Sequence, residues 1–241
     1  YGDHVPNFAV NKGFNQAGAL PGYDYDATNE DALIQAKVAE GRIVVPGGVR
    51  YRVLVLPDHK VLSMAALKKV EQLLGQGATV LGSKPERLVS RVGGEAAQRE
   101  FHALTDRLWG NAPPKKGVRP VGGGRLAWGQ SARAFLQGDG VAPDFEAFAT
   151  KRQADYEYIH YTLVGADVYF VCNQTEEARS VPLAFRVSGK QPELWNPLTG
   201  EITTVGAFRQ VDGRTLIPME FDPHGSCFVF FRAAIPATQQ G

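Results

Sequence analysis

Cysteine is scarce in this chain of 241 residues: there are two, Cys172 and Cys227. They sit far apart in apolar, alternating segments, YFVCN and SCFVFF, and no CxxC-type spacing occurs, so a thiolate metal knuckle is excluded. Buried free thiols are expected in preference to one bridge. Long hydrophobic runs are also missing. None approaches the ~20 residues that cross a bilayer, and the first residues lack the basic, apolar and small-residue succession of a signal peptide, so no membrane partner is expected. Charge of one sign is absent too, since 26 Lys+Arg against 25 Asp+Glu leave a net charge of +1. Without a basic stripe or an aromatic-interleaved Arg cluster, nucleic acid drops out as a partner. The glycine-rich VGGGR at 121–125 runs into the strand-like LAWG, which removes a phosphate-binding helix start. No GxSxG elbow occurs, and the serine of HGSCF (224–228) opens a strand with no helix dipole behind it.

What is present is a 44% hydrophobic chain, long enough for two domains of ordinary size or one large one. From 28 to 136 strand and helix signals alternate, as in a doubly wound α/β domain with a parallel sheet. YRVLVLPD (51–58) reads as a strand buried on both faces. SMAALKKVEQLLGQG (63–77) reads as an amphipathic helix capped by Ser63, with Leu67, Val70, Leu73 and Leu74 at helical spacing. ATVLG is the next strand, GEAAQREFHALTDRLWG the next helix through Ala97, Phe101, Leu104 and Leu108, and GGGRLAWG a final strand. Earlier, TNEDALIQAKVAEG starts a helix with Thr28 and Asp31 in a capping-box-like pair. Gly47 and Gly48 mark a small hairpin.

After a linker at 137–150 the period changes from helical to two, which predicts an all-β domain over 151–235 and a frayed tail at 236–241. YEYIHYTLVGADVYFVCNQ reads as two strands joined at Val164 to Asp167. VPLAFRVSG, PELWNPLTGEITTV, RTLIPMEF and SCFVFFRA supply five or so more. Short alternating strands with turns every eight to twelve residues argue for a β-sandwich or jelly roll.

Six stretches in order, YGDHVPNF, LPGYDYDATNEDAL, YRVLVLPD, GQGATVLGSKPER, QPELWNPLTGEI and DPHGSCFVFFR, resemble the C-terminal part of glycoside hydrolase family 106, the α-L-rhamnosidases. The resemblance implies a glutamine-amidotransferase-like (flavodoxin-like) domain followed by β-sandwich modules. It also implies that the family's catalytic (β/α)8 barrel, with its paired glutamates, precedes anything present here. Rhamnose-containing glycans are the implied substrate class, calcium a candidate cofactor, and a periplasmic or secreted parent protein the implied setting. Residues 1–27 then form a stump and loop whose leading strand lies upstream. A sheet flank so exposed calls for cover, either a homodimer contact or the N-terminal segment.

Among residues that could carry chemistry, GYDYD (22–26) is the sharpest feature. If extended, it puts Asp24 and Asp26 on one face and Tyr23 and Tyr25 on the other, the carboxylates about 6.5 to 7 Å apart. That separation sits at the lower edge of the inverting-glycosidase range, but parallel side chains cannot approach a sugar from opposite sides. A surface or domain-interface role is the leading expectation, with sugar or calcium contact next. Asp3 and His4, in what would be the first βα loop, could make a carboxylate–imidazole pair where open α/β sheets bind ligands, but without the barrel an exposed, mobile terminus is the leading expectation. Tyr156, Tyr158 and His160 share one strand face that could stack on a sugar, against a plainer reading as a half-exposed sheet. Trp195 with Asn196 is expected as the aromatic anchor of an Asn-Pro hairpin turn, with sugar contact as the lesser reading. Three readings follow: a supporting fragment of a rhamnosidase-like hydrolase, a carbohydrate-binding module, or a self-contained glycosidase in which Asp3, Asp24, Asp26 or Glu30 converge.

Overall fold

The computed structural model describes residues 20–58, 60–148 and 155–236. Strands dominate, with eighteen against four helices among the described residues. Its contacts divide into two compact units, one holding Asp26–Phe135 and the other Leu20–Tyr25 with the chain from Leu136 onward.

The first unit opens with α1 (Glu30–Gln35), capped not by Thr28 but by Asn29, whose Oδ1 accepts the Ala32 N–H at 2.9 Å. An Asx side chain there satisfies a free helical donor, and Glu30 and Asp31 suit the positive end of the helix. A three-stranded antiparallel sheet follows: β1 (Lys37–Ala39), β2 (Arg42–Val44) and β3 (Arg50–Tyr51). Its second turn rests on Gly47 and Gly48, at φ 95 and 87. The apolar run expected as one strand is split. Tyr51 closes this sheet through pairing with Ile43, whereas β4 (Leu54–Val55) begins another and is only half-buried. The physical reason is that, among the described residues, β4 is an edge strand with a neighbour on one side, in a four-stranded sheet of order β4-β6-β9-β8.

Next come β5 (Val61–Leu62) and α2 (Met64–Gly75), with Ser63 Oγ accepting the Ala66 N–H at 2.9 Å. Helix α2 buries two sides. Leu67, Val70 and Leu74 join the cluster of Val80, Leu126, Phe101, Leu104 and Leu108. Ala66 and Leu73 join Leu33, Ala36 and Ile43. The helix therefore lies between two cores, each large side chain it buries contributing about 1.5–3 kcal/mol. β6 (Thr79–Leu81) is buried throughout and pairs parallel with β4 and with β9 (Gly124–Trp128). Between them lie β7 (Arg87–Leu88), parallel to β5, then α3 (Gly94–Trp109) and β8 (Gly117–Val121), antiparallel to β9. Gly124 is required where β9 starts, because a Cβ there would fall 2.2 Å from the Ala78 carbonyl oxygen. Helix α4 (Ala132–Gly138), with Ser131 Oγ before it accepting the Ala134 N–H at 3.2 Å, carries the chain into the second unit.

That unit comprises β10 (Phe145–Ala147), β11 (Tyr156–Leu163), β12 (Ala166–Asn173), β13 (Arg179–Phe185), β14 (Lys190–Trp195), β15 (Ile202–Thr204), β16 (Arg209–Val211), β17 (Arg214–Phe221) and β18 (Ser226–Ala234). They form two antiparallel sheets, ordered β10-β13-β17-β16 and β11-β12-β18-β14-β15. Inward residues of both sheets, among them Phe145, Tyr169, Val171, Leu183, Phe185, Ile217, Val229 and Phe231, share one core. Period two makes this possible, since every second residue of each strand reaches the common interior. Strand β10 falls inside the stretch read from sequence as a linker; three residues are too short to show alternation.

Candidate functional site

On β11 the burial pattern turns Tyr156, Tyr158 and His160 inward and leaves Glu157, Ile159, Tyr161 and Leu163 to solvent. Tyr158 stacks on Phe145 with centroids 4.7 Å apart, and its burial pushes the phenol well above its usual range. The shared face, read from sequence as half-exposed sheet or as a surface that could stack on a sugar, is thus a core face. Cross-strand pairing decides it: His160 lies opposite Tyr169 of β12, the rings stacked at 4.0 Å and 10°.

His160 is the centre of the densest charged cluster in this unit. Its Nδ1 is 2.9 Å from Asp144 Oδ2, and its Nε2 is 3.3 Å from Asp167 Oδ1. Asp144 also accepts from the Tyr169 hydroxyl at 3.1 Å and from Arg186 Nε and Nη2 at 3.1 and 3.0 Å. Asp167 accepts from Lys190 Nζ at 2.9 Å. Burial alone would lower the imidazole pKa, but hydrogen bonding and charge from Asp144, then Asp167, outweigh it and raise it. Burial likewise works to raise both carboxyls, yet His160 and Arg186 hold Asp144 below its ordinary value, and Lys190 and His160 do the same for Asp167. An imidazolium held between two carboxylates through both nitrogens has no lone pair to offer as a general base. The cluster is built to hold charge in place. Sequence reading missed Asp144 and Asp167, since only tertiary contact brings them to His160.

The other candidates are dispersed. Tyr23 is buried, its hydroxyl donating to the Val141 carbonyl at 2.7 Å, while Tyr25 is exposed. Asp24 and Asp26 are exposed and lie outside any strand. Asp24 Oδ1 accepts the Tyr25 N–H at 3.0 Å, and Asp26 Oδ2 accepts the Tyr51 hydroxyl at 2.5 Å. Contact grouping puts Asp24 with the second unit and Asp26 with the first. Calcium takes six to eight oxygens, and among the described residues no group of three or more His, Cys, Asp or Glu could hold a metal ion. Glu30 sits in the first turn of α1, and Asp3 and His4 lie outside the described residues. Both cysteines are free and half-buried; burial pushes the Cys227 thiol up to about 11, which keeps it unreactive at neutral pH.

Trp195 closes β14, and Asn196 Oδ1 accepts the Leu198 and Thr199 N–H groups to form the expected turn. The indole stacks on Phe230 at 4.0 Å, carries Arg232 over its ring at 5.3 Å and donates Nε1–H to Glu193 at 3.1 Å. These residues face away from the shared core. With them runs one row in register across all five strands of the second sheet: Ile159, Phe170, Phe228, Trp195 and Ile202. Strand spacing makes the row roughly 19 Å long, and its two end residues are half-exposed at 51% and 50%.

Comparison with known proteins places this geometry. The profile of glycoside hydrolase family 106, described as alpha-L-rhamnosidase, matches residues 1–210. The rhamnosidase structure from Novosphingobium sp. PP1Y superposes with a TM-score of 0.79 at 32% identity, over 92% of this chain and 21% of that one. A Formosa agariphila protein provisionally named a beta-glucuronidase is 33% identical over 226 residues, 91% of this chain and 18% of its own length. The chain thus spans about a fifth of each relative. Among the described residues no helix is long and apolar enough to cross a membrane. The breadth of the profile match and the agreement of fold and sequence with the rhamnosidase establish that the chain belongs to glycoside hydrolase family 106.

Proposed function

We propose that this chain is a supporting portion of an α-L-rhamnosidase-like glycoside hydrolase acting on rhamnose-containing glycans. In this reading residues 28–136 are an amidotransferase-like α/β domain, the two antiparallel sheets that begin with β10 are a β-sandwich domain, and the catalytic barrel belongs to the longer proteins of the family. The observation that carries it is the outward row from Ile159 to Ile202, contiguous apolar surface of the kind that packs against a further domain. Trp195 and the exposed Tyr161 on the same face favour, as a second reading, a carbohydrate-binding module. A homodimer is the lesser part of the proposal: edge strand β4 is two residues long and Pro57 follows it closely, so it offers a second chain only a short ladder. Sedimentation velocity separates monomer from dimer.

The test is hydrolysis of aryl glycosides, aryl α-L-rhamnoside first, at high protein concentration with calcium and then with chelator. No turnover is expected. Turnover abolished by Asp24→Ala would overturn the supporting role in favour of a self-contained glycosidase. Glycan binding lost in Trp195→Ala would select the binding module instead.

A further inference from the structure

The His160 cluster ties together one edge strand from each sheet of the second unit. Among the described residues β10 is an edge of one sheet and β11 an edge of the other, and edge strands have ladder partners on one side only. Asp144 stands immediately before β10 and His160 lies within β11, so their 2.9 Å contact stitches edge to edge across the core. The backbone of Asp144 extends the stitch further. Its N–H, together with that of Phe145, donates to the Gly22 carbonyl at 2.6 and 3.4 Å, which fixes the segment Leu20–Tyr25 to the same edge.

Charged and titratable groups face the ring from every element packed on it. Asp144 stands before β10, Asp167 and Tyr169 are on β12, Arg186 follows β13, and Lys190 opens β14 behind Asp167. Tyr169 covers one face of the imidazole, and the side chain is 14% exposed, so the ring cannot swing into solvent without unstacking. An imidazolium donates from both nitrogens. A neutral ring keeps one N–H and turns a lone pair on a carboxylate 2.9 or 3.3 Å away. The carboxylates keep Arg186, Tyr169 and Lys190 in either state, so loss of the proton falls on the ring's own hold.

We propose that His160 is a proton-operated latch between the two sheets, closed as the imidazolium and loosened when the ring becomes neutral, so that β10, β11 and the Leu20–Tyr25 segment open together at alkaline pH. The sign follows from linkage. A ring whose pKa is raised above 6.5 on folding contributes its full stabilisation below that value and loses it as pH rises through the folded pKa. The depressed carboxyls contribute above their unfolded values and are lost only in acid.

The experiment is amide hydrogen exchange at pH 6 and pH 9, corrected for intrinsic rates, beside an NMR titration of the His160 ring. Protection over 144–147 and 156–163 should fall as the ring titrates, by about tenfold for each unit its pKa is raised. Exchange in β17 and β18 should stay unchanged. His160→Gln should exchange quickly at both pH values. Because that variant can fail to fold, Asp167→Asn is the second test: it keeps the Asp144 contact and should move the exchange midpoint to lower pH. A ring that titrates at or below 6.5, or that titrates with no change in protection, overturns the latch.

Discussion

The two units manage charge in opposite ways. In the first, ion pairs such as Arg50–Glu40, Lys60–Glu86 and Lys68–Glu100 lie at the surface, with side chains half-exposed or more. The exception is Lys84, enclosed by Asp106 and the carbonyls of Gly110 and Asn111 where α3 ends. In the second, Asp144–His160, Asp167–Lys190 and Arg214–Glu146 are drawn into the sheet margins. The difference follows from architecture. Helices cover the mixed sheet's apolar surface and leave their outer faces to solvated charge. Two antiparallel sheets bury their inner faces but must close their open margins, and there polar groups are enclosed and have to be partnered. Sensitivity to protons should therefore gather in the second unit.

The largest effect expected is the separation of the two cores. Phe185 is fully buried against Phe145, Tyr169 and Phe231, so Phe185→Ala should cost the second unit about 3–5 kcal/mol. Leu67 is fully buried in the helical unit, and Leu67→Ala should cost about 2–5 kcal/mol there. In thermal melts the helix signal at 222 nm should shift in Leu67→Ala and stay in place in Phe185→Ala, with the near-ultraviolet signal of the sheet core doing the reverse. A common shift in both signals for either variant would break the comparison, since the two regions would then unfold as one.

How much of this was legible in sequence differs by region for a physical reason. Helix α2 was legible because its cap and its apolar spacing are local, and Ser63, Leu67, Val70, Leu73 and Leu74 all sit where the periodicity puts them. The hairpin of β11 and β12 was legible for the same reason, with Gly165 in the turn. The run from Tyr51 to Leu56 misled because uniform apolarity says nothing about which ladder each half joins. Alternation likewise put Tyr158 and His160 on one face but could not say which way that face turns. Asp144 was invisible, since its partners His160 and Arg186 lie 16 and 42 residues away and three different strands must assemble before it has a role.

A smaller effect tests the enclosed charges directly. Arg186 donates twice to Asp144, whose side chain is 6% exposed, while the arginine side chain is 47% exposed. Hydrogen bonds to a buried carboxylate are worth more than neutral ones, but solvent screens the exposed end. Arg186→Met should cost about 1–2 kcal/mol in urea unfolding, with little change in 1 M salt.

The smallest effect belongs to the surface pair Lys68–Glu100, which joins α2 to α3 at 2.7 Å with side chains 56% and 55% exposed. Such a pair gains little Coulomb energy in high dielectric and gives up side-chain entropy to form, so Lys68→Met should cost less than about 1 kcal/mol. In 1 M salt the Debye length falls to about 3 Å, and the difference from the parent chain should nearly vanish. A Lys68→Met penalty that equals Arg186→Met and survives high salt would show that the helical unit encloses charge as effectively as the sheets do, and the contrast between the units would then rest on their cores alone.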